Sequence, residues 1–162
     1  MEEYEIFTLA RVVHVLGVVL WIGGVAMVTL VILPSLKQFD ATDNRIEAFE
    51  RIEGRFARVA KITTLITGLT GFYMLYEMDA WNRYLDYRYW WIHAMTLVWI
   101  LFTIILFVLE PFVLKKRMAA FAESHPEKVF TIMQRAHWVL LIISLMTIAG
   151  VVAGSHGWQW MK

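Results

Sequence analysis

The sequence predicts an all-α integral membrane protein, a four-helix up-down bundle with both termini on the outer, periplasm-like side. Three observations predict it. Four segments are apolar for long enough to cross about 30 Å of hydrocarbon at about 1.5 Å per helical residue. Lysine and arginine concentrate in alternate connections. Tryptophan and tyrosine gather at the segment ends on one side of the membrane.

The apolar segments cover residues 6–33, 60–76, 89–109 and 137–158 of a 162-residue chain, which is the length of a single domain. Hydrophobic residues make up 59% of the sequence and the mean hydropathy is +0.57, more than a soluble core of this size can hide, so lipid must solvate the remainder. The first segment contains only Arg11 and His14 as polar interruptions. It follows an acidic start, Glu2-Glu3-Tyr4-Glu5, and is too long for the core of a cleaved signal, so it is expected to remain as a spanning helix. The second carries Gly68 and Gly71, and the fourth Gly150 and Gly154, small residues that let helices approach closely. Glu110-Pro111 is expected to close the third.

Charge sets the orientation. The connection between the first two segments holds Lys37, Arg45, Arg51, Arg55, Arg58 and Lys61, and that between the last two holds Lys115, Lys116, Arg117, Lys128 and Arg135. The middle connection has only Arg83 and Arg88, and the C-terminus Lys162. By the positive-inside rule the basic connections face the cytoplasm, in a multi-pass protein of the cytoplasmic membrane. Trp81, Tyr84, Tyr87, Tyr89, Trp90 and Trp91, with Trp158 and Trp160, then form the outer aromatic belt. Within the first basic connection, Ile46, Phe49, Ile52, Phe56 and Val59 recur at helical spacing. With Asp43 as N-cap, they predict a cytoplasmic helical extension over residues 44–59. It either runs straight into the second segment or lies along the membrane surface.

The composition removes several functions. A net charge of +1 without a basic tract sets aside nucleic acid. The absence of cysteine excludes disulfides, iron–sulfur clusters, thiolate zinc sites and covalently attached c-type haem. No nucleophile elbow, phosphate loop or H-E-x-x-H run is present.

The histidines carry the functional signal, because an ionisable residue inside a span is costly and usually has a task. His125 sits in a polar loop beside Pro126, where it is expected to be solvated. Counted from the basic anchors at about 1.5 Å per residue, His14 lies about 34 Å from Lys37, His93 about 33 Å from Lys115 and His156 about 31 Å from Arg135. Three imidazoles from three helices thus fall near one outer level, while His137 lies at the inner end. The first and third helices of an up-down bundle are diagonal neighbours, which makes His14 and His93 the natural axial pair for a haem b. Gly17, Trp21 and Gly24 follow His14 on one stripe partly stripped of side chains, leaving room for a ring edge. Arg11, one turn toward water, is placed to clamp a propionate. The bland counterparts are helix packing by the glycines and snorkelling by Arg11.

His14, then Trp21-Ile22-Gly23-Gly24, resembles the opening helix of the CopD-type copper-resistance membrane proteins and of the HemJ-type protoporphyrinogen oxidases. The likeness continues through Leu33-Pro34, the basic stretch Arg51 to Lys61 and Trp91-Ile92-His93-Ala94, in helix order and spacing over most of the chain. The resemblance implies a four-helix membrane bundle binding haem b with His14 as axial ligand, or, on the CopD side, copper handling at the outer face. The HemJ-type pattern places a functional lysine near the position of Met95, and the third segment here has none. That argues against protoporphyrinogen oxidation and leaves His93 as the replacement partner.

Three readings follow. The first is a haem b protein, ligated by His14 and His93, that exchanges electrons with a quinone or a redox partner protein or supports a haem-dependent oxidation. The second is a copper or other metal site made by His14, His93 and His156, for binding or transport. The third is a cofactor-free accessory membrane protein whose histidines are hydrogen-bonded between helices. The bilayer is the partner common to all three, and a homodimer is compatible with each.

Overall fold

The computed structural model describes residues 3–36, 42–114 and 125–158. Lys37, Lys115, Lys116, Arg117, Trp160 and Lys162, used above to orient the chain, lie outside the described residues. Among the described residues every regular element is helical. Helix α1 covers Glu3–Leu36, α2 covers Thr42–Glu77, α3 covers Trp90–Ile104 with a π-helical continuation Ile105–Leu114, and α4 covers Pro126–Ser155. Two short 3-10 turns, Trp81–Leu85 and Tyr87–Tyr89, build the hairpin between α2 and α3.

Two prolines expected to end their helices do not. Pro34 lies inside α1 just after a π-helical stretch, Val28–Ile32, and Pro111 lies within Ile105–Leu114. Proline has no N–H to donate and its ring crowds the carbonyl four residues back. A widened π turn relieves both problems by shifting the hydrogen-bond register, so the helix passes the proline instead of stopping. Helix α2 is a single 36-residue rod with no break between the amphipathic stretch and the apolar one. It begins at Thr42, one residue before the N-cap expected at Asp43, whose side chain lies outside what the structure describes.

Helices α1, α3 and α4 each contain a stretch long and apolar enough to cross a membrane: Glu3–Leu36, Tyr87–Phe112 and Glu127–Ser155. In the last two only 17% of the most apolar window is buried inside the protein. The exposed remainder includes Leu97, Ile100, Ile104, Val139, Ile142 and Met146. Such a continuous apolar exterior needs a hydrocarbon solvent. Several hydroxyl groups within the helices are turned back on their own backbone. Thr29 donates to the Val25 carbonyl at 2.7 Å, Thr103 to Trp99 at 2.8 Å and Ser144 to Leu140 at 2.7 Å. Each is therefore satisfied without water.

The core has two parts. Trp21, Ile22 and Val25 of α1 meet Ala60 of α2, Phe102 and Leu106 on α3 and its continuation, and Leu141 of α4. At the end away from the hairpin, Val28, Leu33 and Leu36 pack with Phe49 of α2 and Phe130 of α4. Phe49 is only 1% exposed, so the amphipathic part of α2 docks against the other helices and does not lie flat on a surface.

Close helix approach depends on glycines facing large side chains. A β-carbon at Gly68 would fall 2.5 Å from the Trp99 indole, and one at Gly150 or Gly154 would strike the indoles of Trp90 and Trp91. Gly154→Leu is therefore expected to push α4 off α3, at a cost of about 1–3 kcal/mol typical of overpacking. A lowered thermal unfolding midpoint in detergent, with Leu145→Ala on the exposed face as a near-neutral control, checks this.

Candidate functional site

His14 is held in the seam between α1 and α2, which make the most extensive helix–helix contact in the structure. Its Nδ1 lies 2.9 Å from the Thr67 carbonyl oxygen and 3.2 Å from Thr70 Oγ1. A carbonyl oxygen only accepts, so Nδ1 carries the proton, and the neutral ring keeps its lone pair on Nε2. The Thr70 hydroxyl donates to the Ile66 carbonyl at 2.7 Å, which fixes the α2 side of the contact. The ring lies against Gly71, where a β-carbon would sit 3.2 Å from His14 Cε1. Metal-binding histidines are oriented in this way: one ring nitrogen donates to a backbone carbonyl and the other is left for the ligand.

The stripe below His14 is filled rather than open. At Gly17 a β-carbon would fall 2.5 Å from Thr67 Oγ1, and at Gly24 it would meet the Phe56 ring. The slot expected beside Gly17 and Gly24 is occupied by α2, because both glycines serve the close α1–α2 approach. Trp21 is 3% exposed and meets Phe102 edge-on, with ring centroids 4.8 Å apart and planes at 89°. Its Nε1 and the hydroxyls of Thr64 and Thr67 are buried polar atoms without a hydrogen-bond partner. They mark a polar vein in an otherwise apolar seam, beginning at His14.

His93 serves the hairpin. Its Nε2 lies 2.9 Å from the Tyr84 carbonyl and its ring packs edge-on against the Tyr84 ring at 5.4 Å. The Tyr84 hydroxyl pairs with Thr96 Oγ1 at 2.7 Å, one turn along α3 from His93. Stacked rings continue the assembly, with Trp81 lying on Phe72 at 6.2 Å and on Tyr84 at 6.4 Å. Asp86 Oδ2 accepts from Arg88 Nε at 2.9 Å and Nη2 at 2.7 Å, while Oδ1 accepts from Nε at 3.1 Å and from the Arg88 backbone N–H at 3.0 Å. These hydrogen bonds from Arg88 hold the Asp86 carboxyl below its ordinary range. The clamp is therefore present above the normal carboxylate range and lost as pH falls through the depressed value. Asp79, with φ of 44°, makes the left-handed turn that starts the hairpin.

The other histidines are apart from these. His156 is exposed at the end of α4, its Nδ1 bonded to the Val152 carbonyl at 2.7 Å. His137 is bonded to the Met133 carbonyl at 2.9 Å and packs edge-on against Phe49 at 5.9 Å, near the second core. Among the described residues no hydrogen bond or ring contact joins His14 to His93. No group of three or more His, Cys, Asp or Glu side chains comes together to hold a metal ion. The three-histidine copper set is thus not assembled among these residues. Arg11 is exposed and lies over the Phe7 ring at 5.0 Å. Glu110 pairs with Lys61 of α2 at 2.9 Å, not with Arg135 or His137, because the helix continues past Pro111 and turns the carboxylate toward α2.

Sequence reasoning missed Thr67, Thr70 and Gly71 as the group that orients His14. The available signal was the spacing of Thr63, Thr67, Thr70 and Gly71, which repeats at three to four residues on one α2 face. The Tyr84 carbonyl left no signal, since backbone acceptors are not written in side-chain identity.

Comparison with protein-family models, with curated proteins and with solved structures found no match. Function is therefore argued from geometry. His93→Ala should free the Tyr84 carbonyl and loosen the hairpin, costing about 1–3 kcal/mol for a lost, partly buried hydrogen bond. Faster proteolysis within residues 81–89, with protection regained in His93→Gln, checks it.

Proposed function

We propose that this chain is a multi-pass protein of the cytoplasmic membrane, an up-down four-helix bundle with both termini outside. In this reading it holds haem b through His14 near the outer face, for electron transfer or haem-dependent oxidation. The observation that carries the proposal is the His14 ring. Its Nδ1 is tied to the Thr67 carbonyl, so Nε2 is the unprotonated nitrogen in a low-dielectric seam.

The fourth span is α2. Its sequence is less apolar than the others because Thr63, Thr64, Thr67 and Thr70 face the seam. Thr63 and Thr70 bond back to the carbonyls of Val59 and Ile66, at 2.9 and 2.7 Å. Its other face exposes Ile62, Leu65, Ile66 and Leu69, as apolar as the outward faces of its neighbours. Pairwise contacts support the alternating directions. Gly17 meets Thr67 while Gly24 meets Phe56, and Gly68 meets Trp99 while Lys61 meets Glu110.

The His14 imidazole is the group that would hold a porphyrin, and because Thr67 and Phe56 fill the seam beside Gly17 and Gly24, the macrocycle would have to reach Nε2 from outside that seam. Thr67 and Thr70 orient His14 by engaging the only N–H of the neutral ring, which leaves Nε2 as the nitrogen with the lone pair. Arg11, exposed one turn nearer the water, supplies the positive charge that an anionic ligand edge requires. When bound, haem supplies a one-electron couple that the cysteine-free chain otherwise lacks. Because Nε2 of His93 is tied to the Tyr84 carbonyl, Nδ1 is the nitrogen that would be left on that ring for ligation.

The purified protein is expected to show a reduced-minus-oxidised α band that is lost in His14→Ala and retained in His93→Ala. A protein that stays colourless after haem reconstitution would sink the reading. The orientation has its own test, which the cysteine-free sequence makes free of background. A cysteine placed at Tyr4 or Trp158 should react with an impermeant maleimide from the outside, and one at Lys116 only after permeabilisation.

A further inference from the structure

A groove of about 460 Å³ runs between the far half of α1 and the first half of α2, at the end of the molecule away from the hairpin. Its walls are apolar, with Met27, Val28 and Ile32 on one side and Ile52, Phe56 and Val59 on the other. Two cationic side chains, Arg51 and Arg55, stand on its rim. An apolar trough with guanidinium groups along one edge has the polarity of an amphiphile with a negative head.

Depth decides which amphiphile. From Glu77 at the hairpin end, Arg55 lies 22 residues along α2, about 33 Å at the helical rise, which is about the thickness of the hydrocarbon layer. The arginines therefore stand at the level of the phosphates in the leaflet opposite His14. The trough extends from them toward the bilayer middle, past Val59 and Gly24. Arg51 and Arg55, one turn apart on α2, both line the groove and are both exposed. A guanidinium binds phosphate oxygens with two parallel hydrogen bonds, a geometry that a lysine ammonium does not offer.

We propose that this groove is a binding site for an anionic phospholipid. Its phosphate is held by Arg55 with Arg51, and one acyl chain lies between Met27 and Val28 of α1 and Phe56 and Val59 of α2. Gly24 shapes the upper end, because its missing side chain lets the Phe56 ring pack across α1 and form part of the wall. The proposal requires only that the chain sits in a bilayer. It does not depend on haem at His14.

The test uses full-length protein in phosphatidylcholine nanodiscs, titrated with phosphatidylglycerol and followed by thermal unfolding and by native mass spectrometry of retained lipid. Phosphatidylglycerol is expected to raise the unfolding midpoint and to be retained. Arg51→Gln/Arg55→Gln should weaken retention by roughly fivefold per arginine. Arg55→Lys, which keeps the charge but not the fork, should fall between. Arg83→Gln on the hairpin should leave retention unchanged and so control for net charge. Equal stabilisation by inorganic phosphate would reduce the site to a simple anion site and overturn the lipid assignment. So would retention that the double variant, folded by circular dichroism, does not lower.

Discussion

The close approach of α1 and α2 is the constraint on which the rest of the structure depends. Gly17 and Gly24 remove side chains where Thr67 and Phe56 press in, so the two backbones come together along much of their length. That proximity brings the Thr67 carbonyl within 2.9 Å of His14 Nδ1. It also leaves Trp21 buried, with its indole N–H unpaired and its ring against Phe102. In hydrocarbon there is no hydrophobic drive between helices beyond what lipid already provides. Association then rests on dense packing and a few polar contacts. The glycine positions supply the first and the threonine face of α2 the second.

Much of this organisation was legible in the sequence, and the reasons differ by element. The apolar spans were visible because a bilayer demands a minimum uninterrupted length, and α1, α3 and α4 meet it. The helical character of residues 44–59 followed from the period of Phe49, Ile52, Phe56 and Val59. The destination of Phe49, between Leu33 and Phe130, did not follow, since a periodic apolar face suits a membrane surface as well as a neighbouring helix. The fates of Pro34 and Pro111 were hidden for another reason. Proline announces a lost hydrogen bond, but whether a helix stops or widens depends on neighbours that support the widened turn.

The site was partly legible. His14 stood out because a titratable ring in a span needs a partner, and one is present in the Thr67 carbonyl and the Thr70 hydroxyl. His93 and His156 stood out equally by depth. Yet depth counts only rise along each axis and carries no information on azimuth, the direction in which each ring points. His93 turns to the Tyr84 carbonyl and His156 to its own helix. Gly17 and Gly24 were ambiguous between an open slot and a packed seam, and the position of Phe56 and Thr67 resolves them as a seam.

The length of α2 has a mechanical side. At 36 residues it is about 54 Å long, well beyond the thickness of a hydrocarbon layer. Phe49, wedged between α1 and α4, ties the first half of this rod to the rest of the molecule. Displacing the first half of α2 therefore requires repacking the Leu33–Leu36 end of α1 and Phe130 as well.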